Sequence, residues 1–398
     1  MVQNRRVNFS TLRRNYTHPH EYYAQLRAHD SLYFDPSIRC WLATGYKAVT
    51  SILNDPRFCS KLDANTMPGM SYVHRQMLFM NGETHRKAQE VLLRQLSRMV
   101  KQMSDTIRAI VEDILTTVLA KGEMDVVRDF AAPISLFAIV HILGIPTDDQ
   151  DLLWQLERWS DTFGDITSGY FSGEKQDVQR LEAYFRHLIA EKRLAPADDL
   201  LCAFLQAGDI FSTEEDLVAN CMMVFAAGRT TTKKLLANGF PFLIEHWDEL
   251  QAQYKENPRA VVKSLGEELL RMVTPTRCLI RQAEEDVDLA DLFPGDHVIR
   301  KDERVLLFLD AANYDPAYFA EPDQFQALRR PNKQVAFGYG EHQCPGATLA
   351  RVEIQITLEL LLSTLQAKPL QKAGTVPRWN PNPNLGGYQS YFITFATD

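Results

Sequence analysis

A single cysteine lies in a glycine-punctuated loop near the end of the chain. The stretch FGYGEHQCPGATLAR covers residues 337–351 and places Cys344 between Gln343 and Pro345. A structural thiol is normally buried among apolar residues, whereas polar residues and glycines surround this one. Such glycines bring backbone N–H groups towards the sulfur, and the helix predicted from Gly346 points its positive end at the same atom. Both effects lower the pKa of a thiol, so the segment predicts a thiolate ligand.

Three consecutive threonines, Thr230, Thr231 and Thr232, follow Gly228 in the middle of a long predicted helix. The helix begins after a capping box, STEE at residues 212–215, and is predicted to continue to the HW pair at residues 246–247. Threonine and glycine are poor helix-interior residues, so helix stability does not explain them. A threonine hydroxyl can hydrogen-bond to a carbonyl one turn earlier and leave a polar notch in an apolar wall. A tolerated kink would give the same pattern, and both interpretations stay open.

A glutamate and an arginine stand three residues apart in SLGEELLRMVTP. Glu268 and Arg271 therefore share one face of a predicted helix and can form an ion pair. This spacing is common by chance and becomes specific only together with other motifs.

The composition restricts the class of protein. The chain has 398 residues, 45% of them hydrophobic, and a net charge of −8. It can bury a large core, and its acidic balance disfavours nucleic-acid binding driven by overall charge. Six cysteines without a CxxC or CxxCH motif argue against a zinc ribbon, a thioredoxin-type pair or a c-type haem attachment, and predict reduced thiols in the cytoplasm.

The N-terminus has arginines but no apolar segment after them, so neither a secretory signal nor a membrane anchor is expected. The most apolar stretch, FAAPISLFAIVHILGIP, is interrupted by Pro133, Ser135 and His141, which favours a core helix over a membrane span.

The remaining elements are mainly helical. SLYFD and CWLATG, separated by Pro36, predict a β-hairpin after the helix HEYYAQLRAHD. Helical periodicity then dominates in GYKAVTSILND, THRKAQEVLLRQLSRM, VKQMSDTIRAIVEDILTTVLA and QDVQRLEAYFRHLIAEKR. Residues 62–83 are polar, Met-rich and irregular, which predicts a loop that is either functional or an ordinary surface segment.

The cysteine loop resembles the haem-binding signature of the cytochromes P450. That signature has an aromatic residue, a glycine three positions on, the cysteine four further on and a glycine two later, here Phe337, Gly340, Cys344 and Gly346. The family's EXXR motif and its A-G-x-acid-T-T motif also occur upstream in the right order. The resemblance runs from about residue 15 to the C-terminal strands. It implies one domain over residues 1–398, mainly α with a small β portion, and one b-type haem.

The resemblance also implies roles for individual residues. Cys344 is the expected axial ligand of the haem iron, since a thiolate donates the electron density that favours O–O cleavage. The expected partners of the haem propionates are His85, Arg281 and His342. The family usually has an arginine four residues after that first histidine, where this chain has Gln89, so Arg86 or Lys87 is a candidate substitute. Further residues are implied to belong to a structural ion-pair network: Glu268, Arg271 and Arg329.

A second departure concerns the long helix. The resemblance sets Ala227 and Gly228 beside the haem and Thr231 at the proton-delivering threonine, but Thr230 stands where the family has an acid. A hydroxyl at this position cannot recharge a proton relay as a carboxylate does. Arg229 is expected either to turn away into an ion pair or to lie near the substrate as an anion anchor.

The implied function is a soluble bacterial-type monooxygenase or oxidative tailoring enzyme of secondary metabolism. It acts on a small, largely apolar molecule, as a cytoplasmic monomer without a membrane or nucleic-acid partner. Electrons come from a separate ferredoxin and an NAD(P)H-linked ferredoxin reductase. The missing acid suggests an alternative, a haem-thiolate enzyme that uses peroxide or rearranges its substrate without O₂ activation. A non-enzymatic haem-binding protein is the weaker alternative.

The resemblance also implies positions of the substrate pocket. By analogy they are residues 62–83, Val224, Phe225, Ala227, Arg229, Thr231, Thr276, Arg277, Cys278, Leu279, Gly387 and Tyr388.

Overall fold

The computed structural model describes residues 9–10, 17–61, 71–171, 173–208, 210–293, 297–366 and 370–395. Helices dominate these residues and strands form a small portion, which confirms the predicted fold class. The chain divides into two compact units. Unit 1 consists of Met1–Lys61, Glu267–Cys344 and Pro381–Gly386, and unit 2 consists of Leu62–Gly266, Pro345–Asn380 and Gly387–Asp398.

Unit 1 is built on a five-stranded sheet with the strand order β1-β2-β8-β5-β3. The strands are β1 (Leu32–Asp35), β2 (Cys40–Ala43), β3 (Phe58–Cys59), β5 (Cys278–Ala283) and β8 (Arg304–Phe308). The predicted hairpin is confirmed, because β1 and β2 pair antiparallel with Leu32 opposite Ala43. β2 and β8 run parallel, and β5 pairs antiparallel with β8. The described helices of this unit are α1 (His20–His29), α2 (Tyr46–Leu53) and α12 (Leu309–Asn313), and a two-stranded ribbon joins β6 (Val287–Asp288) to β7 (Val298–Ile299).

A buried ion-pair network holds the loops of unit 1 together, as the resemblance implied. The Arg271 guanidinium donates to both carboxylate oxygens of Glu268, with distances of 2.8 and 2.9 Å, and the Arg329 Nε donates to Glu268 Oε1 at 3.0 Å. Glu268 and Arg271 have no exposed surface and Arg329 is 6% exposed. Arg271 also donates to the backbone carbonyls of Asn313 and Pro322, so the network ties several backbone segments to one carboxylate.

Unit 2 contains most of the long helices. They are α3 (Ser71–His74), α4 (Gly82–Lys121), α5 (Ala132–Leu143), α6 (Gln150–Thr167), α7 (Lys175–Leu194), α8 (Leu200–Gln206), α9 (Glu214–Glu245), α10 (Trp247–Glu256) and α13 (Ala347–Thr364). Helix α11 (Pro258–Val273) starts in unit 2 and ends in unit 1. Short strands complete the unit: β4 (Glu123–Asp125), β9 (Leu370–Lys372) and β12 (Phe392–Phe395) form one sheet, and β10 (Arg378–Asn380) pairs with β11 (Gly387–Ser390).

Two predicted helix boundaries differ from the structure. The two helices predicted on either side of residue 100 are one 40-residue helix, α4, because buried Leu96, Met99 and Met103 continue one apolar stripe without a glycine or proline. It ends at Gly122, whose φ of 77° suits a residue without a Cβ. The N-cap of α9 is Thr213 with Asp216 at the third helical position, one residue later than predicted.

The other end of α9 and the predicted loop also differ. Helix α9 stops at Glu245, and Trp247 begins α10. Within the predicted loop at residues 62–83, residues 62–70 lie outside the described part of the chain. The rest forms α3, a 3₁₀ turn at Met77–Phe79 and the start of α4.

One segment, Val126–Leu143, is long and apolar enough to cross a membrane, with a mean hydropathy of 1.7. It comprises the π-helical turn Val126–Ala131 and α5, and 67% of it is buried inside the protein. This burial fits the core helix that the sequence predicts.

The network around Glu268 generates a stability prediction. Glu268→Gln removes the negative charge but leaves two buried guanidinium groups, so we expect the free energy of unfolding to fall by about 3–5 kcal/mol. The matched control is Asp286→Asn, which removes an exposed carboxylate paired with Arg300 at 2.9 Å and should change stability little. Denaturant unfolding of both variants measures the difference, and equal midpoints would contradict the assigned importance of the network.

Candidate functional site

The cysteine loop in unit 1 has a backbone that requires glycine at defined positions. The backbone N–H of Cys344 donates to the carbonyl of Phe337 at 2.8 Å, which closes the loop. Gly338 and Gly340 have φ values of 72° and 73°, in the left-handed region. A Cβ on Gly340 would lie 2.5 Å from the carbonyl oxygen of Leu53 at the end of α2. The signature glycine is therefore required both by its φ and by the close approach of α2.

Cys344 differs from the other cysteines in its exposure. All six cysteines lie in the described part of the chain, and Cys344 alone among them is exposed, whereas Cys278 is half-buried and the other four are buried. Burial raises the pKa of the Cys40 thiol to about 11 and raises those of Cys59 and Cys202 as well. Cys344 is thus the thiol that another group can reach. In the described residues no cluster of three or more His, Cys, Asp or Glu could hold a metal ion by itself.

A histidine and an arginine accompany this loop in unit 1. His342 lies in the 3₁₀ turn Gly340–His342, and its Nε2 is 3.3 Å from the Ser60 hydroxyl. Arg281, on β5, is only 6% exposed and donates to the backbone carbonyl of Ile280. No carboxylate in the described part of the chain forms an ion pair with it, and burial lowers its pKa to about 10. A buried guanidinium without a carboxylate partner in the described residues can form charge-assisted hydrogen bonds with an anionic group.

Helix α9, in unit 2, is buried on all sides except at one place. From Leu217 to Phe240, the positions that are not buried are Ala227, Gly228 and Thr231. They have the spacing i, i+1 and i+4 and therefore share one face. We call these three positions the notch. A fully apolar core helix would have no such opening, so of the two interpretations left open by the sequence the structure agrees with the notch.

The threonine of the notch forms the hydrogen bond to a carbonyl one turn earlier that the sequence suggested. Thr231 Oγ1 donates to the carbonyl of Ala227 at 2.8 Å. A Cβ on Gly228 would lie 2.7 Å from Cδ1 of Ile139, so α5 packs tightly against that position. Thr230 lies outside the notch, is 4% exposed, and its hydroxyl has no hydrogen-bond partner among the described residues.

The structure decides between the two alternatives for Arg229 in favour of the ion pair. Its side chain is fully buried and donates to Glu157 Oε1 and the Ser160 hydroxyl, both at 3.0 Å, and to the carboxylate of Asp161. Lys233, one turn later on α9, bonds the same two carboxylates at 3.3 and 2.9 Å. Burial acts to raise the pKa of Asp161, but the two cations outweigh it and hold that pKa well below its usual range. Arg229 is therefore committed to α6 and is not available as an anchor for a substrate.

Several of the pocket positions implied by analogy have packing partners of their own. Phe225 is fully buried against Phe185, and Val224 is 7% exposed. In unit 1, Arg277 lies 3.8 Å from Asp310, whereas Thr276 is half-buried.

At the start of β11, a Cβ on Gly387 would lie 3.0 Å from the Asn238 amide, and the backbone N–H of Tyr388 donates to the Asn238 side chain at 3.0 Å. These contacts connect β11 to α9 within unit 2.

The remaining predicted residues lie at helix beginnings in unit 2. His85 is 3% exposed in the first turn of α4. Gly346 is the N-cap of α13, so the helix begins where the sequence predicts it. Of the two candidate substitutes for the missing arginine, Lys87 pairs with Glu83 at 2.9 Å on the surface and Arg86 is exposed.

Sequence reasoning missed a buried carboxyl group next to the threonines. Glu353, on α13, is 2% exposed, and the Thr232 hydroxyl donates to its Oε2 at 3.1 Å. Burial raises the pKa of Glu353 to about 8. The sequence did contain a signal for Glu353. It is a lone acid on the apolar face of the helix after the cysteine loop, four residues after Leu349 and four before Thr357. The acids Glu157 and Asp161 were also missed, although their i, i+4 spacing matches that of Arg229 and Lys233.

Comparisons with known proteins match this arrangement along nearly the whole chain. The family described as Cytochrome P450 matches residues 17–386. A biotin biosynthesis cytochrome P450 of Bacillus subtilis (strain 168) is 32% identical, over 95% of this chain and 96% of its own length. The mycinamicin IV hydroxylase/epoxidase of Micromonospora griseorubida is 31% identical, over 87% of each chain.

A solved structure supports the same assignment. P450BioI in complex with hexadec-9Z-enoic acid ligated acyl carrier protein superimposes with a TM-score of 0.84 and 30% identity, over 96% of this chain and 99% of that one. The three sequence motifs, the cysteine loop with its required glycines and the notch in α9 agree with this match. The chain belongs to the cytochrome P450 family.

Proposed function

We propose that this protein is a monooxygenase that holds a b-type haem through Cys344 and inserts oxygen into a small, largely apolar molecule. The observation that carries the proposal is the exposed thiol of Cys344 in a loop whose glycines are required by φ and by close contact. Membership of the cytochrome P450 family supports the haem cofactor and an oxidoreductase activity. The family match covers most of both units, which supports one haem domain over residues 1–398.

The described residues fit a haem. Cys344 offers an accessible thiol, and Arg281 is a buried cation without a carboxylate partner in the described part of the chain, which suits a propionate. His342 and His85 are the further propionate partners that we propose. The absence of a CxxCH motif favours haem held without a covalent link, hence haem b. When bound, such a haem supplies O₂ activation, and the thiolate ligand favours O–O cleavage.

The role of the notch is to hold and pass protons. Monooxygenation consumes two protons together with two electrons, and a hydroxyl that both donates and accepts can orient the water molecules that carry them. Thr231 Oγ1, whose hydrogen bond to Ala227 fixes its position, is the proposed hydroxyl. Ala227 adds little bulk at the opening, and Gly228 lets α5 pack closely against α9. Thr230 fills the position of the family's acid without carrying a proton that it can release near neutral pH.

A second candidate function follows from that substitution. A haem-thiolate enzyme that uses hydrogen peroxide receives its oxygen and protons together and needs no acid at position 230. The buried hydroxyl of Thr230, which has no hydrogen-bond partner among the described residues, is the observation that favours this alternative.

The substrate class is proposed from the relatives. P450BioI was solved with an acyl carrier protein ligated with hexadec-9Z-enoic acid, and another relative is named for mycinamicin IV. The acyl chain in the first name supports a largely apolar substrate, free or attached to a carrier protein, and a relative named for polyketide biosynthesis supports secondary metabolism. The pocket positions that we retain are Val224, Ala227, Thr231, Thr276, Gly387 and Tyr388.

We also propose a ferredoxin and an NAD(P)H-linked ferredoxin reductase as the electron source of a cytoplasmic, monomeric enzyme. The exposed face of α4 carries Arg86, Arg94 and Lys101, in a chain with a net charge of −8. Lys87 and Arg98 on the same helix are paired with Glu83 and Asp198. The three other cations are the ones that we expect to attract an acidic ferredoxin.

The thiolate assignment is tested by Cys344→Ser. A serine hydroxyl stays protonated where a cysteine ionises, so we expect the ferrous–CO spectrum typical of thiolate ligation to be lost. Cys278→Ser, which changes a half-buried thiol on β5, should keep that spectrum. A normal thiolate spectrum from the Cys344 variant would refute the assignment.

The electron-donor surface is tested by the double variant Arg86→Glu and Arg94→Glu. Reversing two exposed charges should slow reduction by a ferredoxin, most strongly at low ionic strength, because salt screens the attraction. Arg259→Glu with Lys263→Glu on α11 changes the net charge equally at other exposed positions and should have less effect. Stopped-flow reduction rates across a salt series measure both, and identical rates in the two double variants would exclude this surface.

The proton role of the notch is tested by Thr231→Ala. Without its hydroxyl, reducing equivalents should be diverted to hydrogen peroxide, and product formed per NADPH should fall several-fold. Thr231→Ser keeps the hydroxyl and should retain most of the coupling. Unchanged coupling in the alanine variant, together with faster turnover by added peroxide than by NADPH, would favour the peroxide-using alternative.

A further inference from the structure

Four charged side chains join α9 to α6 beside the notch. Arg229 and Lys233 are four residues apart on α9, and Glu157 and Asp161 are four residues apart on α6. Side chains at this spacing lie on one face of a helix, one turn apart. The two cations therefore meet the two acids across the contact between the helices. We call these four side chains the charge ladder.

Each cation of the charge ladder bonds both acids. Arg229 Nη1 donates to Glu157 Oε1 at 3.0 Å, and Nη2 donates to the carboxylate of Asp161 and to the backbone carbonyl of Glu157. The Lys233 ammonium donates to Glu157 Oε1 at 3.3 Å and to Asp161 Oδ2 at 2.9 Å. Arg229 Nε also donates to the Ser160 hydroxyl at 3.0 Å. The four charges sum to zero, which limits the cost of burying them.

These bonds restrict α9 more narrowly than its other contacts do. Apolar side chains make up most of the buried positions of the helix, and their burial has no preferred direction. A hydrogen bond, in contrast, weakens steeply when its donor and acceptor lose their alignment. Moving α9 by one residue turns it by about 100° and shifts it by about 1.5 Å, which would take both cations away from both acids. The charge ladder thus fixes the rotation and the axial position of α9.

Thr231 lies on the side of α9 away from the charge ladder. It is two residues after Arg229 and two before Lys233, so its side chain is about 160° around the helix axis from each. Its hydroxyl is held to the helix itself by the bond to the Ala227 carbonyl at 2.8 Å. Where this hydroxyl lies in unit 2 is therefore decided by the position of the helix.

Packing alone gives no reason for an arginine at position 229. The side chain has no exposed surface, and an apolar residue of similar volume would avoid the cost of removing a guanidinium from water. The directional bonds are found at the turn of α9 that carries the notch. Arg229 directly follows Gly228, where a Cβ would lie 2.7 Å from Ile139 on α5. At this turn α9 is held by α5 through close packing and by α6 through ion pairs.

We propose that the charge ladder positions the Thr231 hydroxyl for proton transfer, with Arg229 as the main positioning residue. Arg229 acts through the backbone of α9 and takes no part in the transfer itself. The inference rests on the proposed function, in which Thr231 is the hydroxyl that orients the proton-carrying water molecules. It assigns a role in catalysis to a residue whose own side chain points away from the notch.

The first test measures the helix and not the activity. In Arg229→Met, which removes the guanidinium, backbone amides of residues 225–235 should exchange hydrogen several-fold faster in the holoenzyme, as followed by mass spectrometry. The matched control is Lys192→Met. Lys192 bonds Asp199 at 2.6 Å where α7 and α8 meet, so this variant loses a half-buried ion pair elsewhere in unit 2 and should leave exchange at residues 225–235 unchanged. Equal acceleration in both variants, or none in Arg229→Met, would overturn the proposal.

Two milder variants carry the test if Arg229→Met does not fold. Ser160→Ala removes one bond to Arg229 and keeps the ion pairs, so exchange at residues 225–235 should rise by up to about two-fold. Arg229→Lys keeps the charge but loses the planar donor fork, so its coupling should lie between that of Ser160→Ala and the several-fold loss expected without any cation. Wild-type exchange in Ser160→Ala would contradict the proposal, and so would wild-type coupling in both variants.

The second test asks whether Arg229 acts through Thr231. Arg229→Met alone should lower product per NADPH several-fold, as Thr231→Ala does, whereas Lys192→Met should retain it. Adding Arg229→Met to Thr231→Ala should cause no further loss, because the group being positioned is already absent. A further several-fold loss in the double variant would overturn the proposal. If Thr231→Ala leaves coupling unchanged, the proposed O₂-dependent function fails; if Thr231→Ala uncouples and Arg229→Met does not, only this inference fails.

Discussion

The close approach of the ligand loop to the end of α2 is the constraint on which the candidate site depends. The Cα of Gly340 lies so near the Leu53 carbonyl that no side chain fits between them. Its φ of 73° adds a second reason for glycine, and the bond from the Cys344 N–H to Phe337 closes the turn. These contacts present the thiol at the surface of the loop and not in the core. A larger residue at position 340 would displace the loop and the sulfur with it.

Buried charge is used in two different ways in the two units. In unit 1, Glu268 pairs with both Arg271 and Arg329, which together also donate to several backbone carbonyls. In unit 2, Arg229 and Lys233 on α9 pair with two acids on α6. The unit 2 cluster is neutral in total, which limits the cost of removing its charges from water, whereas in unit 1 backbone carbonyls supply further acceptors for the second guanidinium. No carboxylate in the described residues pairs with the buried Arg281, and burial raises the pKa of Glu353 to about 8.

The contrast between Glu353 and Asp161 shows why the position of an acid does not determine its chemistry. Both lie next to α9, yet Asp161 has two cationic partners and Glu353 has a single neutral hydroxyl. Opposite charges stabilise the ionised form, whereas desolvation without a charged partner stabilises the protonated form. Of these two acids, Glu353 therefore has the raised pKa and Asp161 the lowered one.

The sequence by itself determined the features that depend on local spacing and backbone geometry. The signature from Phe337 to Gly346, the EXXR pair and the mid-helix threonines each follow from residue type and periodicity, and the structure contains the network around Glu268 and the notch that they indicate. Only the tertiary structure decided which groups face one another. The pairing of Arg229 with α6 and the contact of Thr232 with Glu353 join residues 68–72 and 121 positions apart. No local pattern specifies such contacts, because they depend on how helices pack and on which side chains that packing removes from water.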